Sequence, residues 1–451
     1  MVNVTFADWW GPQLLHGIIS WDFLQFVVAF LTTFGFVLTS ATILVLAERK
    51  VMGWMQDRLG PMHTGPWGML QTVADVAKLL LKEDIKVSNS DKVLFLLAPS
   101  VFLAPVIASF AVIPFSPYIN LPGTALATGI IYYVAMSSID VVGVIMAGWS
   151  SNNKYALIGG LRSAAQMISY ELPLVLSLVG IVMLTSALAG HDGYPGLNGI
   201  GTISLRGIMD FQNTWHKTGI GVLDFIFEGF TPWAWFFLVQ PLMLIIYYTC
   251  GLAETNRAPF DLPEAESELI AGYHTEYSAM KFSLFFIAEY ASMVTQSALM
   301  ATLFFGGWDV PFTARDNIGP YSGWLSLLSI GIFLAKILFF LFLFMWVRWT
   351  LPRFRYDQLM SLGWKVMLPL ALVYIVLIAG VMLGLSASGI PEGAWWTAIL
   401  GSVNVAVIII LFAILDRGRI ISPAYGRMQP KEIERLRRLD RNRPVAAEAG
   451  R

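Results

Sequence analysis

Nine apolar runs, most of them longer than 20 residues, decide what this chain can fold into. They fall at about 23–47, 92–113, 123–148, 160–188, 232–253, 281–305, 322–349, 364–387 and 394–415. An α-helix satisfies its own backbone hydrogen bonds, so roughly 20 apolar residues can cross the hydrocarbon of a bilayer with nothing left unpaired. The first run (FLQFVVAFLTTFGFVLTSATILVLA) and the seventh (WLSLLSIGIFLAKILFFLFLFMWV) are clear spans; the fourth and sixth each contain a carboxylate. A soluble domain cannot hide this much, because the chain is 56% hydrophobic and only 13% charged, about half the usual charged fraction. The expected fold is an all-α integral membrane protein with about nine transmembrane helices.

Loop charge gives the orientation. All but four of the 29 Lys and Arg residues lie on one side of the expected bilayer, the exceptions being Arg206, Lys217, Arg315 and Lys336. The positive-inside rule then puts the N-terminus outside and the C-terminal tail in the cytoplasm. The first 22 residues contain no Lys or Arg, so they lack the basic start of a secretory signal. On the same cytoplasmic side, residues 64–82 follow a Gly/Pro turn and set Trp67, Leu70, Val73, Val76, Leu80 and Leu81 at helical spacing, leaving Asp75, Lys78 and Lys82 wet. This predicts an amphipathic helix lying on the membrane surface.

Several chemistries are excluded. A net charge of −1 gives no basic surface for nucleic acid. One cysteine, Cys250, builds neither a disulfide framework nor an iron–sulfur site. None of His16, His63, His191, His216 and His274 lies in the core of a span, so no intramembrane bis-His haem is available, and neither a GxGxxG fingerprint nor a Walker loop is present. Electrons for any redox role must come from another subunit.

Charges inside spans are the strongest functional signal. Asp140, Glu171, Glu289 and Lys336 sit within apolar runs, where an unpartnered charge costs several kcal/mol. Helix rise puts the three carboxylates roughly 12–17 Å, and Lys336 about 20 Å, below the cytoplasmic surface. Paired groups that only fix helix packing are the ordinary reading of any single one; the set favours a proton-conducting row. Between the fifth and sixth spans, GLAETNRAPFDLPEAESELIAGYHTEY gathers Glu254, Asp261, Glu264, Glu266, Glu268 and Glu276, balanced only by Arg257. Pro259 and Pro263 interrupt helix there. A solvated acidic loop has no need of Phe260, Leu262, Leu269 and Ile270, so the segment is expected to fold back onto the protein and share protons among its carboxylates.

The stretch AERKVMGWMQDRLGPMHTGPWGMLQTVADVAKLLLKED (Ala47–Asp84) resembles the signature of the quinone-site membrane subunit, of the H or mitochondrial subunit 1 type, of proton-pumping NADH:quinone oxidoreductase (respiratory complex I). GWSSNNKYALIGGLRSAAQMISYE, AETNRAPFDLPEAESELIAGYHTEYS, FFIAEY and VRWTLPRFRYDQLMSLGWK follow in family order, and the likeness covers about residues 20–387. It implies a subunit without a redox cofactor of its own, which lines the tunnel of ubiquinone or menaquinone and starts the proton path. FMN and iron–sulfur clusters would belong to partner subunits, and the partners would be the other membrane-arm subunits and the hydrophilic quinone module in a bacterial plasma membrane. The resemblance places Glu48, Arg49, Trp54, Arg58, Asp75, Lys78, Arg257 and Asp261 at the quinone cavity and its acidic link. It carries the proton path through Glu254, Glu264, Glu266 and Glu268 to Asp140, Glu171, Glu289 and Lys336. Where many relatives have Glu, position 140 has the shorter Asp.

The family core ends after eight spans, so residues 1–388 are expected to form it, 389–416 an additional helix and 417–451 a basic cytoplasmic tail. Two alternatives stand beside this reading. One is the equivalent subunit of a hydrogenase or ferredoxin-linked complex; the other is a stand-alone ion transporter, which the absence of an internal repeat disfavours.

Overall fold

Helices account for every long element. The computed structural model describes residues 21–85, 87–116, 122–188, 203–214, 235–261, 269–311, 323–389 and 394–416, and among these no strand occurs. The helices are α1 (Trp21–Met55), α2 (Gln71–Leu81), α3 (Lys92–Phe110), α4 (Gly129–Ser150), α5 (Lys154–Leu188), α6 (Leu205–Thr214), α7 (Pro241–Glu254), α8 (Ala279–Phe304), α9 (Gly323–Thr350), α10 (Tyr356–Ala387, with a π-helical segment at Gly363–Met367) and α11 (Ala394–Asp416). Seven of them are long and apolar enough to cross a membrane, and α7 and the Ala398–Ala413 stretch of α11 are shorter apolar helices. The protein is a multi-pass, all-α membrane protein. Residues up to Leu400 form one unit; a second begins at Gly401, and its described part, to Asp416, is helical.

α8 is the axis of the first unit. From Ala288 to Phe304 all of its residues but Ser292 are buried, and it touches α1, α3, α7 and α9. α4 packs between α3 and α5, while α7 and α10 lie against α5. The helices that face outward, such as α1 and α10, keep large apolar side chains on the surface (Leu31, Ile43, Val373, Val376), as lipid contact requires.

Two expected elements differ in detail. The fifth span is broken: Phe236–Val239 ends at Gln240, and α7 begins at Pro241. Pro241 has no N–H and its ring clashes with the preceding turn, while the Gln240 amide donates to the Gly180 carbonyl (3.1 Å) and holds the break inside the bundle. The surface helix is shorter than 64–82, because Trp67 takes a left-handed conformation (φ 52°) and α2 starts only at Gln71. Its apolar residues Val73, Leu80 and Leu81 are exposed, as a membrane-surface helix demands, and Asp75, partly exposed, lines a cavity against α1 and α8.

Close helix contact depends on missing side chains. A Cβ on Gly159 of α5 would lie 2.6 Å from the Gly272 Cα, in the short turn that carries Tyr273 and His274. Gly159→Ala is therefore expected to push that turn away at a cost of roughly 1–3 kcal/mol. Thermal unfolding of the purified protein in detergent measures it.

Candidate functional site

At the basic end of the bundle, α1, α2 and α8 enclose a cavity of about 290 Å³. Each helix lends it one face at helical spacing: Thr42, Val45 and Arg49 from α1, Asp75 from α2, Phe286 and Tyr290 from α8. The 35 residues of α1 span about 52 Å, more than a bilayer's hydrocarbon needs. Most of the wall is apolar, and its polarity is concentrated at one place. Arg49 Nη1 donates to Asp75 Oδ2 (2.6 Å), Gln71 Nε2 donates to Asp75 Oδ1 (3.2 Å), and the Thr64 hydroxyl donates to Gln71 Oε1 (2.8 Å). Lys50 ties down the loop beside it by donating to the carbonyls of Pro61 (2.6 Å) and Trp67 (2.7 Å).

Glu48 precedes Arg49 by one residue, a turn of about 100° on the helix, and so points into the bundle rather than the cavity. It is buried and accepts from the Tyr290 hydroxyl and from Arg348 Nη1. Arg257 lies 3.9 Å from Glu48 Oε2 and 3.8 Å from Glu289 Oε2, with its guanidinium 4.1 Å from the centre of the Tyr290 ring. The Tyr273 hydroxyl donates to Glu289 Oε1 (2.9 Å). Two carboxylates thus face two guanidiniums in a buried, charge-balanced group. Tyr290 belongs both to it and to the cavity wall.

The turn after α7 places Arg257. Gln166 of α5 donates through one nitrogen to the carbonyls of Ala253 (2.8 Å) and Phe260 (2.9 Å). Arg353 binds Asp261 (3.0 Å), and the Phe354 N–H donates to the Pro259 carbonyl (3.2 Å). Phe260 and Leu269 are buried, so the described parts of the carboxylate segment pack onto the protein, although Ile270 is exposed. Leu262, Glu264, Glu266 and Glu268 lie outside the described residues.

Deeper in the bundle, Glu254, Asp140 and Glu171 form a second group. Gln296 Nε2 donates to Glu254 Oε2 (2.6 Å), and the Ser138 hydroxyl donates to Glu171. Buried Asp140 lies within electrostatic reach of both other carboxylates, and its Oδ1 has no hydrogen-bond partner among the described residues. Lys336 is elsewhere. Its Nζ donates to the carbonyls of Phe305 (2.7 Å), Gly307 (2.9 Å) and Asp309 (2.9 Å), just past the end of α8. That is about 24 Å along α8 from Glu289.

The structure therefore brings together Glu48, Arg257 and Glu289, and separately Glu254, Asp140 and Glu171. Arg49 and Asp75 meet at the cavity, whereas Trp54, Arg58 and Lys78 are exposed and outside its wall. Reasoning from charge missed the neutral partners Tyr273, Tyr290, Gln166 and Gln296, and treated Arg348 and Arg353 only as loop charge. FFIAEY, which sets Tyr290 beside Glu289, was the available signal.

Two outcomes test this geometry. Arg257→Met leaves two buried carboxylates short of a cation, a change that typically costs roughly 3–5 kcal/mol; Arg257→Lys recovers only part, since an ammonium lacks the fork that spans both. Thermal unfolding of the purified variants checks both. The buried His274 ring, packed among Tyr273, Phe282 and Phe286, has its pKa pushed by burial from near 6.5 to about 4. Between those values the unfolded chain binds the proton and the folded chain does not, so stability falls as pH drops from 6.5 toward 4. His274→Phe is expected to flatten that part of the stability–pH curve.

Comparison with known proteins agrees with the architecture. A family model described as NADH dehydrogenase matches residues 28–379. H subunits of NADH-quinone oxidoreductases are similar along most of their length. That of Brevibacillus brevis is 46% identical over 82% of this chain and 97% of its own, and that of Leptospira biflexa 44% over 81% and 95%. An H subunit of Geobacter sulfurreducens is 42% identical over 83% of this chain and 99% of its own. Matched by that model over most of its length and by these relatives, the chain belongs to the NADH dehydrogenase family that contains the H subunits of NADH-quinone oxidoreductase.

Proposed function

We propose that this chain is the membrane subunit of a proton-translocating NADH:quinone oxidoreductase that admits the quinone and begins the proton path. The observation that carries the reading is Tyr290, which lines the cavity and donates its hydroxyl to the buried Glu48. Apolar walls suit an isoprenoid tail, and the Arg49–Asp75 pair offers a cation and an acceptor to a quinone head group. Reducing a quinone takes two electrons and two protons. The electrons arrive from an iron–sulfur cluster in a neighbouring hydrophilic subunit, fed through FMN; the single cysteine of this chain cannot hold such a cluster.

Negative charge that develops on the reduced head group acts on the Glu48–Arg257–Glu289 group through Tyr290. Arg257 is nearly equidistant from the two carboxylates, so a small change in field shifts its preference between them. The excess or deficit of charge is then felt by Glu254, at the end of the helix that leads into the Arg257 turn, and by Asp140 and Glu171 beyond it. The segment with Glu264, Glu266 and Glu268 extends the same acidic link. Lys336, at the far end of α8, stands as the terminal charge of the path. In this reading the basic end faces the cytoplasm of a bacterial plasma membrane, where the hydrophilic arm docks, and the remaining membrane-arm subunits and lipid cover the sides. Residues 1–388 are the core, 389–416 an added helix, and 417–451 a basic tail at the headgroups.

The test is reconstitution of the whole complex with a tagged chain. Flavin and iron–sulfur subunits are expected to co-purify. Asp75→Asn and Arg49→Met should each lower NADH:quinone activity on the order of tenfold by misplacing the head group, while NADH oxidation by an artificial acceptor that bypasses the quinone persists. Glu171→Gln should reduce protons translocated per NADH. Undiminished quinone activity in the first pair refutes the cavity assignment, and full translocation in the last refutes the proton path.

A further inference from the structure

A second polar chain leaves Glu254 in the opposite direction from the cavity. The amide of Gln296 donates through Nε2 to Glu254 Oε2 (2.6 Å) and accepts through Oε1 from the Tyr247 hydroxyl (2.7 Å). The Tyr133 hydroxyl lies beside that of Tyr247. Gln296 and Tyr247 are wholly enclosed, and Tyr133 and Glu254 nearly so. Tyr247 is seven residues before Glu254 on α7, and Gln296 seven residues beyond Glu289 on α8. Each step is about 10 Å of helix away from the basic end. The hydrogen-bonded line therefore runs from a buried carboxylate toward the far side of the bundle.

Three of its four members can pass protons on. A carboxyl takes a proton on one oxygen and releases it from the other, and a phenol hydroxyl both donates and accepts. An amide does not, because its donor nitrogen and acceptor oxygen are fixed, and relay through it would require an imidic acid. The amide stands between the carboxylate and the two phenols.

We propose that Gln296 is a positioning residue that insulates Glu254: it fixes the carboxylate by one hydrogen bond and interrupts the phenol line, so that protons leave Glu254 sideways toward Asp140 and Glu171 and not across the membrane. The proposal rests on the reading of Glu254 as a proton carrier. Ordinary core filling does not account for the arrangement, since both ends of the amide are matched to relay-competent groups and its side chain bridges the gap between them.

The experiment uses the assembled complex in sealed proteoliposomes, with two readouts: protons translocated per NADH oxidised, and passive proton permeability without NADH. Gln296→Glu replaces the break by a carboxyl that accepts a proton from Glu254 on one oxygen and releases one to Tyr247 from the other. Passive permeability is expected to rise several-fold and the proton yield per NADH to fall by half or more. Gln296→Met, similar in volume but unable to relay, should stay as tight as the unaltered complex. Should the carboxyl prevent assembly, Gln296→His carries the test, since an imidazole also relays and the same leak is expected. A relay-competent variant as tight as the unaltered complex overturns the proposal, and so does a Met variant as leaky as the Glu variant, which would mark loosened packing. Glu254→Gln separates the two readings: full proton yield in that variant refutes Glu254 as carrier, whatever the Gln296 variants do.

Discussion

Everything at the basic end depends on the placement of one buried cation. Arg257 lies under 4 Å from Glu48 and from Glu289, against the face of Tyr290. A guanidinium enclosed by helices survives only if its desolvation is offset by nearby opposite charge, and two carboxylates left without it would be worse off still. The requirement links four segments: Glu48 on α1, Arg257 on the turn after α7, Glu289 on α8 and Arg348 near the end of α9. None of these helices can rotate or slide without breaking the balance. Lipid supplies no hydrophobic force to press helices together, so a shared ionic group and close Gly contacts such as Gly159 on Gly272 are what hold this end in register.

The same group divides the polar interior into two compartments with one shared wall. On the cavity side, the charged groups of the wall are Arg49 and Asp75, and both are partly exposed. On the other side lie Glu254, Asp140 and Glu171, where the hydrogen bonds to Glu254 and Glu171 come from an amide and a hydroxyl in place of an arginine. Tyr290 lines the first compartment and meets the ionic group twice, with its hydroxyl at Glu48 and its ring face at Arg257. In the proposed mechanism this contact converts an event in the cavity into a change of charge preference inside the bundle, with no helix movement needed to start it.

How much of this was legible without coordinates follows from what each signal measures. Apolar runs measure the cost of exposing backbone and side chains, and that cost is large, so the long spans appear within a few residues of their expected places. Asp140, Glu171 and Glu289 were visible for the same reason with opposite sign. Gln240 and Pro241 were not: a single break inside an apolar run leaves mean hydropathy unchanged, and the run from 232 looked continuous. The resemblance placed Trp54 and Lys78 at the quinone cavity, but both are exposed and neither lines the cavity between α1, α2 and α8. Gln296 had no signal, and Gln166 and Tyr273 had only their place in the family blocks, because neutral polar residues are cheap to bury once hydrogen-bonded, and only the fold says which backbone carbonyl or carboxylate they will meet.

Lys336 and Arg257 show two solutions to one problem, and the difference bears on which charges in this protein can change. Arg257 is balanced by carboxylates, groups that can themselves take up a proton, so the field around it depends on their state. Lys336 is solvated by three backbone carbonyls and lies 4.1 Å from the centre of the Trp235 ring. These carbonyl oxygens belong to the turn just past α8 and do not titrate. The near end of α8 thus faces the carboxylates of Glu48 and Glu289, whereas its far end presents backbone carbonyls to Lys336, with the Asp309 carboxylate held by Trp235 Nε1 close by (2.7 Å). In the proposed mechanism this difference between the two ends of the central helix sets which of them responds first to a change of charge in the cavity.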